Sequence, residues 1–401
     1  MVDIHFVKAS DYCESVVDGT HDSPKPCDEG FYLITSKHLL DYEINFASAY
    51  KISEADYNLI TKRSNVKQWD ILFSMIGTVG RVYIERNSNS EYACKNVGIF
   101  KCGGDKHKAL WLYYVLKSPY CKQYISKVLA GSTQSYISLG NLRAFPVPVI
   151  ADEKRNRIIE ALSTFDKKIE LNNKINDNLL QQARALYQAW FVDYVPFNGV
   201  RPSDWIDDTI NGLAKEVICG KTPSTKAPEY YGNDIPFITI PDMHGNTYAV
   251  TTERYLSSYG AQSQHKKTLP RNSICVSCIG TAGLVTLTAQ ESQTNQQINS
   301  IIPKEGYSPY YIYLLMETLS VIINNLGQSG STIVNLNKAQ FGKIAVVIPS
   351  IETMKSFDEI VSPMFESILS NQKENIKLAE LRDSLLPRLM SGKLDISEIY
   401  I

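Results

Sequence analysis

Neither sign of charge predominates in this sequence. Its 41 lysines and arginines are matched by 42 acidic residues, for a formal net charge of −1. That balance excludes a protein that coats nucleic acid through bulk charge, but not one with a local basic patch. No apolar run approaches the roughly 18 residues that a membrane span needs. The first residues, MVDIHFVKASDYCESVV, are acidic and polar where a secretion signal has a basic head and an apolar core. A cytoplasmic protein is expected. Motifs of catalysis are missing too: there is no GxxxxGKS/T, no GxGxxG after a strand, no HExxH and no G-x-S-x-G elbow. The Asn- or Asp-Pro-Pro-aromatic loop with which an amino-methyltransferase holds a flipped base does not occur. The six histidines (His5, His21, His38, His107, His244 and His265) are scattered, without metal-ligand pairing. The eight cysteines read as reduced, mostly buried thiols. Cys275 and Cys278 form a CxxC, but ICVSCIG is an apolar, β-branched run that puts the two thiols on opposite faces of a strand. No second pair follows at zinc spacing, so no metal is expected.

What the sequence does contain is itself, twice. Phe73 to Gly80 reads FSMIGTVG and Val276 to Gly283 reads VSCIGTAG, with Gly77 and Gly280 203 residues apart. YCESVVDG, ending at Gly19, matches LAKEVICG, ending at Gly220, at an offset of 201. LITSKHL from Leu33 matches FITIPDM from Phe237 at 204, and WLYYVLKS from Trp111 matches YIYLLMET from Tyr311 at 200. NVGIFK from Asn96 lines up with NSIIPK from Asn299 at 203. Each match is weak alone; their collinear order points to two copies of one module. Within each copy, short β-branched or alternating runs separated by Gly, Asn and Ser read as strands, followed by one helical stretch and a proline-bearing strand. The basic residues Lys62, Arg63 and Lys67 recur as Lys266, Lys267 and Arg271, each at 204. One such cluster would read as a solvated loop; its recurrence suggests a shared electrostatic task.

After each module the period changes. Ile158, Leu162, Phe165, Ile169, Leu179, Ala183, Leu186 and Trp190 step by three and four, interrupted at Asn172 and Asn176. The second series is Phe357, Val361, Met364, Ile368, Leu378, Leu385 and Leu389, interrupted at Asn371, Asn375 and Arg382. Each residue of the second series stands 199 positions after its counterpart. As a helix, the first segment would be about 55–60 Å long. Helices of that length need partners to persist. Asparagines at seam positions cost stability and fix register. Two pairs near both middles suit an antiparallel coiled coil with pseudo-twofold symmetry. The expected fold is therefore α+β, with residues 1–150 and 210–350 as β-rich modules. Residues 151–190 and 351–390 are the helices, 191–209 a linker and 391–401 a tail.

This pattern resembles the specificity subunit of type I restriction–modification enzymes over nearly the whole chain. The resemblance rests on GTHDSP (from Gly19) and GKTPST (from Gly220), on the strands that follow them, and on the two GT-x-G strands. It also rests on the GST turns before proline-bearing strands and on LRDSLLPRLMSGKL at the end of the second helix. It implies two target-recognition domains that read the halves of a bipartite DNA target, with the helices setting the spacer between them. It implies no catalytic centre and no cofactor bound by this chain. Two adenine methyltransferase subunits would bring S-adenosylmethionine, and a motor–nuclease restriction subunit would bring ATP and magnesium. The chain departs from the pattern at its start. Met1 aligns with Pro202, so the first module either lacks a lead-in segment or takes it from the tail LDISEIYI.

For DNA contact the basic trios are expected to meet phosphates. Side chains able to pair with base edges are Thr20, His21, Ser36, Lys37 and Arg81 in the first copy. In the second they are Lys221, Ser224, Thr225, Asp242 and His244. Modules that read different half-sites should differ at reading positions. Two other readings remain open: a stand-alone DNA-modifying enzyme with unfamiliar motifs, and a two-domain scaffold unrelated to DNA.

Overall fold

The computed structural model describes residues 5–40, 42–130, 136–327, 335–390 and 394. The chain divides into two compact units, Met1–Glu170 with Lys377–Ile401, and Leu171–Ile376. Each unit thus combines one module with stretches of both long helices. The GST turns at 131–133 and 330–332, and the tail beyond Leu394, lie outside the described residues. No helix among the described residues is long and apolar enough to cross a membrane.

In the first unit the strands are β1 (His5–Lys8), β2 (Ser15–Asp18), β3 (Phe31–Thr35), β4 (Lys51–Ile52), β5 (Ile71–Ser74), β6 (Val82–Ile84), β7 (Tyr92–Lys95), β8 (Val97–Lys101) and β9 (Pro146–Val149). They form a sheet in the order β2-β8-β5-β6, a second in the order β4-β3-β7, and an antiparallel β1·β9 pair. The run ILFS of β5 shows no alternation because all four residues are buried. Helix Lys106–Lys117 buries every residue from Ala109 to Leu116, as a helix apolar on all sides must. Asp105 caps it by accepting from the Lys108 N–H at 2.9 Å.

The second unit contains β10 (Ile206–Thr209), β11 (Ala214–Cys219), β12 (Tyr231–Ile238), β13 (Tyr248–Ala249), β14 (Arg254–Leu256), β15 (Ile274–Ser277), β16 (Val285–Thr288), β17 (Gln293–Thr294), β18 (Ile298–Pro303) and β19 (Ala345–Ile348). Their orders are β11-β18-β15-β16-β13, β14-β12-β17 and β10·β19. The topology of the first unit recurs, with β13 added parallel to β16. Even single bonds recur. Trp111 Nε1 donates to the Pro148 carbonyl at 2.7 Å, and the Tyr311 hydroxyl donates to the Val347 carbonyl at 2.7 Å.

One alignment changes. β8 sets Gly98 opposite Asp18, whereas β18 sets Asn299 opposite Cys219. Gly98 and Asn299 are therefore equivalent, at an offset of 201 and not 203. The matching asparagines of NVGIFK and NSIIPK are a coincidence of composition. Counted from Cys94 and Thr294, which accept equivalent bonds from the Thr20 and Lys221 N–H groups, two residues (Lys95–Asn96) precede β8 and three (Asn295–Gln296–Gln297) precede β18.

The first module has a lead-in strand of its own. β1 pairs with β9 as β10 pairs with β19. In the second unit, Trp205 of the preceding linker packs on Phe191, Tyr194 and Phe197 at 5.4–5.7 Å between ring centroids. At the other end of the chain, Leu394 packs on the core of the first unit.

The first long helix is Asp152–Tyr187 and the second is Ile351–Met390. Within the second unit, the Asn172 Nδ2 donates to Asn375 Oδ1 at 2.9 Å and the Asn371 Nδ2 donates to Asn176 Oδ1 at 2.8 Å. As one partner advances, the other retreats, so these segments run antiparallel. Asn172 is fully buried, and its Nδ2 also meets Glu374 Oε2 at 2.7 Å. Asn375 Nδ2 in turn donates to Asn173 Oδ1 at 2.8 Å. Ala183, Tyr187, Phe357, Val361, Phe365 and Ile368 share the second unit's core. In the first unit Ile158 and Leu162 share a core with Leu386 and Leu389. Residues beside the seam (Ile159, Asp166, Phe365 and Leu369) are buried as well. The helices bury a wider stripe than a free coiled coil because they pack on the modules as well as on each other.

Candidate nucleic-acid interface

Two glycines build the rim of each module. A Cβ on Gly19 would lie 2.1 Å from the Cys94 carbonyl oxygen, and one on Gly220 would lie 2.1 Å from that of Asn295. The close approach brings the start of GTHDSP and GKTPST against the loop after β7 or β17. Main-chain bonds then fix it. Thr20 N–H donates to the Cys94 carbonyl at 2.9 Å, and Lys221 N–H to the Thr294 carbonyl at 2.9 Å.

The GT-x-G turns close the β5–β6 and β15–β16 hairpins. Gly77, Gly80, Gly280 and Gly283 all have φ between 74° and 97°, where a side chain would be strained. The buried serines of FSMIGTVG and VSCIGTAG tie the turns down. Ser74 Oγ accepts from the Arg81 N–H, and Ser277 Oγ from the Leu284 N–H, both at 2.8 Å.

In the first module the rim gathers around Asn96, whose φ is 53°. His21 bridges Asn96 Oδ1 at 2.7 Å and Asp18 Oδ2 at 3.0 Å. The Ser36 hydroxyl, itself buried, donates to the Asn96 carbonyl at 3.1 Å. Thr20 Oγ1 accepts from the Asp22 N–H at 3.1 Å. Lys37 is exposed beside this group. Arg81 is half-buried and donates to the Leu39 carbonyl at 3.1 Å. His38 is fully buried, and its Nδ1 accepts from the Thr35 N–H at 2.9 Å. Burial, helped by the neighbouring Lys37 charge, holds its pKa below the ordinary 6.5, against the raising effect of a backbone bond at Ser48.

In the second module the rim is an amide network. Thr222 Oγ1 donates to Gln296 Oε1 at 2.6 Å, and Asn295 Nδ2 to Gln297 Oε1 at 3.0 Å. Gln264 Nε2 meets the Lys221 carbonyl at 2.9 Å and Gln293 Oε1 at 2.7 Å. The Lys221 side chain is exposed, as are Ser224, Thr225 and His244. Ser224 Oγ accepts from the Lys226 N–H at 3.3 Å. Asp242 takes the place of His38: its Oδ2 accepts from the Thr239 N–H at 2.8 Å, and its Oδ1 from the Glu253 N–H at 2.8 Å.

The basic trios divide into two kinds. Lys62, Arg63, Lys67, Lys266 and Arg271 are exposed and Lys267 is half-buried; they differ in whether the side chain is tied back. Arg63 reaches back to Asp18 Oδ1 at 3.2 Å and to the Gly19 carbonyl at 3.1 Å. Lys267 does the equivalent, donating to the Cys219 carbonyl at 2.8 Å. Arg271 Nη2 donates to both carboxylate oxygens of Glu366, on the second long helix, at 2.6 and 2.7 Å. Asn96, Gln296, Gln297 and His38 were not singled out in the sequence. A shared Asn hid the loop's length, and nothing local marks His38 as a cap.

Cys275 and Cys278 enter different hydrophobic clusters. Burial pushes both thiols up to about 12, so they stay protonated. No group of three or more metal-ligating side chains occurs among the described residues.

Two modules of one topology, each with a rim of amide, hydroxyl and basic side chains, define a two-site binding protein. Comparison with known proteins says which kind. Residues 2–181 and 202–380 each match the type I restriction modification DNA specificity domain. The chain is 30% identical to the type I restriction enzyme HindI specificity subunit of Haemophilus influenzae, over 82% of this chain and 87% of that one. It is 24% identical to the MjaIX specificity subunit of Methanocaldococcus jannaschii, over 91% and 87%. A crystal structure of a type I restriction–modification S subunit from M. genitalium shares the fold, with a TM-score of 0.51 at 15% identity, covering 97% of this chain and 96% of that one. The chain belongs to the family of type I restriction–modification specificity subunits.

Proposed function

We propose that each module reads one half of a bipartite DNA target and that the paired helices set the spacer between the halves. One observation carries this reading. The two rims share the main-chain bonds that hold their loops, from Gly19 and Thr20 to Val97 and Cys94 and from Gly220 and Lys221 to Ile298 and Thr294, while the side chains they present differ: Thr20, His21 and Asn96 in one, Lys221, Thr222 and Gln296 in the other. Amide groups pair with adenine edges, and lysine with guanine edges or phosphate. Equal frames with unequal side chains suit two different half-sites. The exposed Lys62, Lys67, Lys221 and Lys266 supply phosphate contacts, which position the modules without reading sequence.

In this reading the chain is not an enzyme and binds no cofactor. Two copies of an adenine methyltransferase subunit dock on it in the cytoplasm and bring S-adenosylmethionine; a restriction subunit brings ATP and magnesium. Sequencing of methylated bases in cells that carry this gene with and without the methyltransferase gene tests it. Methyladenine at a bipartite motif only when both are present is the expected result. Methylation by this chain alone would make it an enzyme. Absence of both methylation and duplex binding would leave a scaffold.

A further inference from the structure

The two units use one socket and fill it with opposite chemistry. In the first unit Asp166 of the first long helix meets Arg382 of the second at 2.5 Å. Both are buried, and the Tyr42 hydroxyl joins them, at 2.7 Å from the arginine and 3.2 Å from the aspartate. The repeat places Phe365 at the position of Asp166, and Ala183 at that of Arg382. In the second unit Phe365 stacks on Tyr310 at 4.5 Å and meets Tyr313 edge-on at 5.5 Å. Ala183 is fully buried in the same core, in the register that the asparagine pairs set. A charged pair in one unit is thus an aromatic ring and a methyl group in the other.

Polarity is reversed at the next position as well. Arg184 of the first long helix pairs with Glu317 of the second module at 2.6 Å. The repeat puts Asp383 where Arg184 stands and Lys117 where Glu317 stands. Lys117 lies over the Tyr42 and Tyr113 rings at 4.7 and 5.2 Å.

We infer that these side chains are a partner code: each long helix fits the other and rejects a second copy of itself. A first helix paired with its own copy in the same register would set Asp166 against Ala183. A second helix paired with its own copy would set Arg382 against Phe365. The first pairing strands the buried Asp166 without its cation, and the second strips Arg382 of its buried carboxylate and leaves it only the half-exposed Asp383; losing one partner of a buried pair is strongly disfavoured. Lys117 would meet Arg184, and Glu317 would meet Asp383. The asparagines cannot make this choice, because Asn faces Asn in every pairing. They fix register, and the charges fix the partner. One consequence, which rests on the proposed DNA reading, is that two copies of one module cannot assemble on a palindromic target.

The test compares two full-length chains carrying the same substitutions. One is the intact protein with A183R and R184D, which give the first helix the residues that the second carries at 382 and 383. The other has residues 201–401 replaced by a second copy of 1–200, so that like must pair with like, with and without A183R and R184D in both copies. Thermal melting and hydrodynamic mass are read. The expected result is opposite sign: the intact chain loses roughly 5 °C, while the duplicated chain gains a cooperative transition it otherwise lacks. Cooperative melting of the unsubstituted duplicate, or the same sign or no effect in the two contexts, overturns the inference. Neither readout involves DNA, so failure here is separate from failure of the proposed function.

Discussion

Arg382 and Asp166, on different long helices, meet at 2.5 Å with side chains only 5% and 1% exposed. Burial opposes the guanidinium's charge, but Asp166, Tyr42 and Asp383 more than offset it and raise the pKa of Arg382 above its ordinary value. The guanidinium therefore stays charged. Replacing Asp166 by Ala removes the buried counter-charge of a buried cation and leaves it only the half-exposed Asp383, at 2.8 Å. A loss of about 3–5 kcal/mol is expected from chemical denaturation. The double variant D166A/R382A should lose less than D166A alone.

The exposed and the braced lysines should separate in two measurements. Lys62→Ala and Lys266→Ala should each lower the salt slope of duplex binding by about 1 and leave the melting temperature unchanged. Lys267→Ala releases the Cys219 carbonyl and should cost about 1–2 kcal/mol of stability.

His38 makes the first module sensitive to acid. Its folded pKa lies below the ordinary 6.5, so the folded state binds fewer protons than the unfolded one. The stability it confers is complete above pH about 6.5 and is lost as pH falls toward the folded value. Asp242 caps the same turn in the second module. His38→Asp should therefore flatten the fall in melting temperature between pH about 7 and 5. An unchanged profile would sink the argument.

Base reading is expected to be local to each rim. Asn96→Ala should relax methylation specificity in one half-site and Gln296→Ala in the other, each by about 1–3 kcal/mol of discrimination. Methylated-motif sequencing reads both. A change in both half-sites from one substitution would contradict independent reading by the modules.

Much of the architecture was legible because a duplication reports on itself. The GT-x-G turns and the asparagine pairs recur in the structure as in the sequence, since each depends on local backbone or on a heptad slot. What was hidden depended on tertiary contact. Arg382 was visible as a break in the seam, but its partner Asp166 lies beside the seam, on the face turned to the module. The trios repeat as a group, yet only geometry shows that Arg63 and Lys267 turn inward to carbonyls while Lys62 and Lys266 do not. The NVGIFK and NSIIPK match failed because two asparagines on either side of a one-residue insertion imitate an alignment.

The pinning of the rim loops has a consequence for how such a protein changes over generations. Their ends are held by main-chain atoms, through Thr20 to Cys94 and Lys221 to Thr294. Substitutions at Asn96 or Gln296 leave every one of those bonds in place. The insertion that separates the two copies was absorbed there without disturbing a strand. The target can therefore drift by single mutations while the frame that presents it is inherited intact.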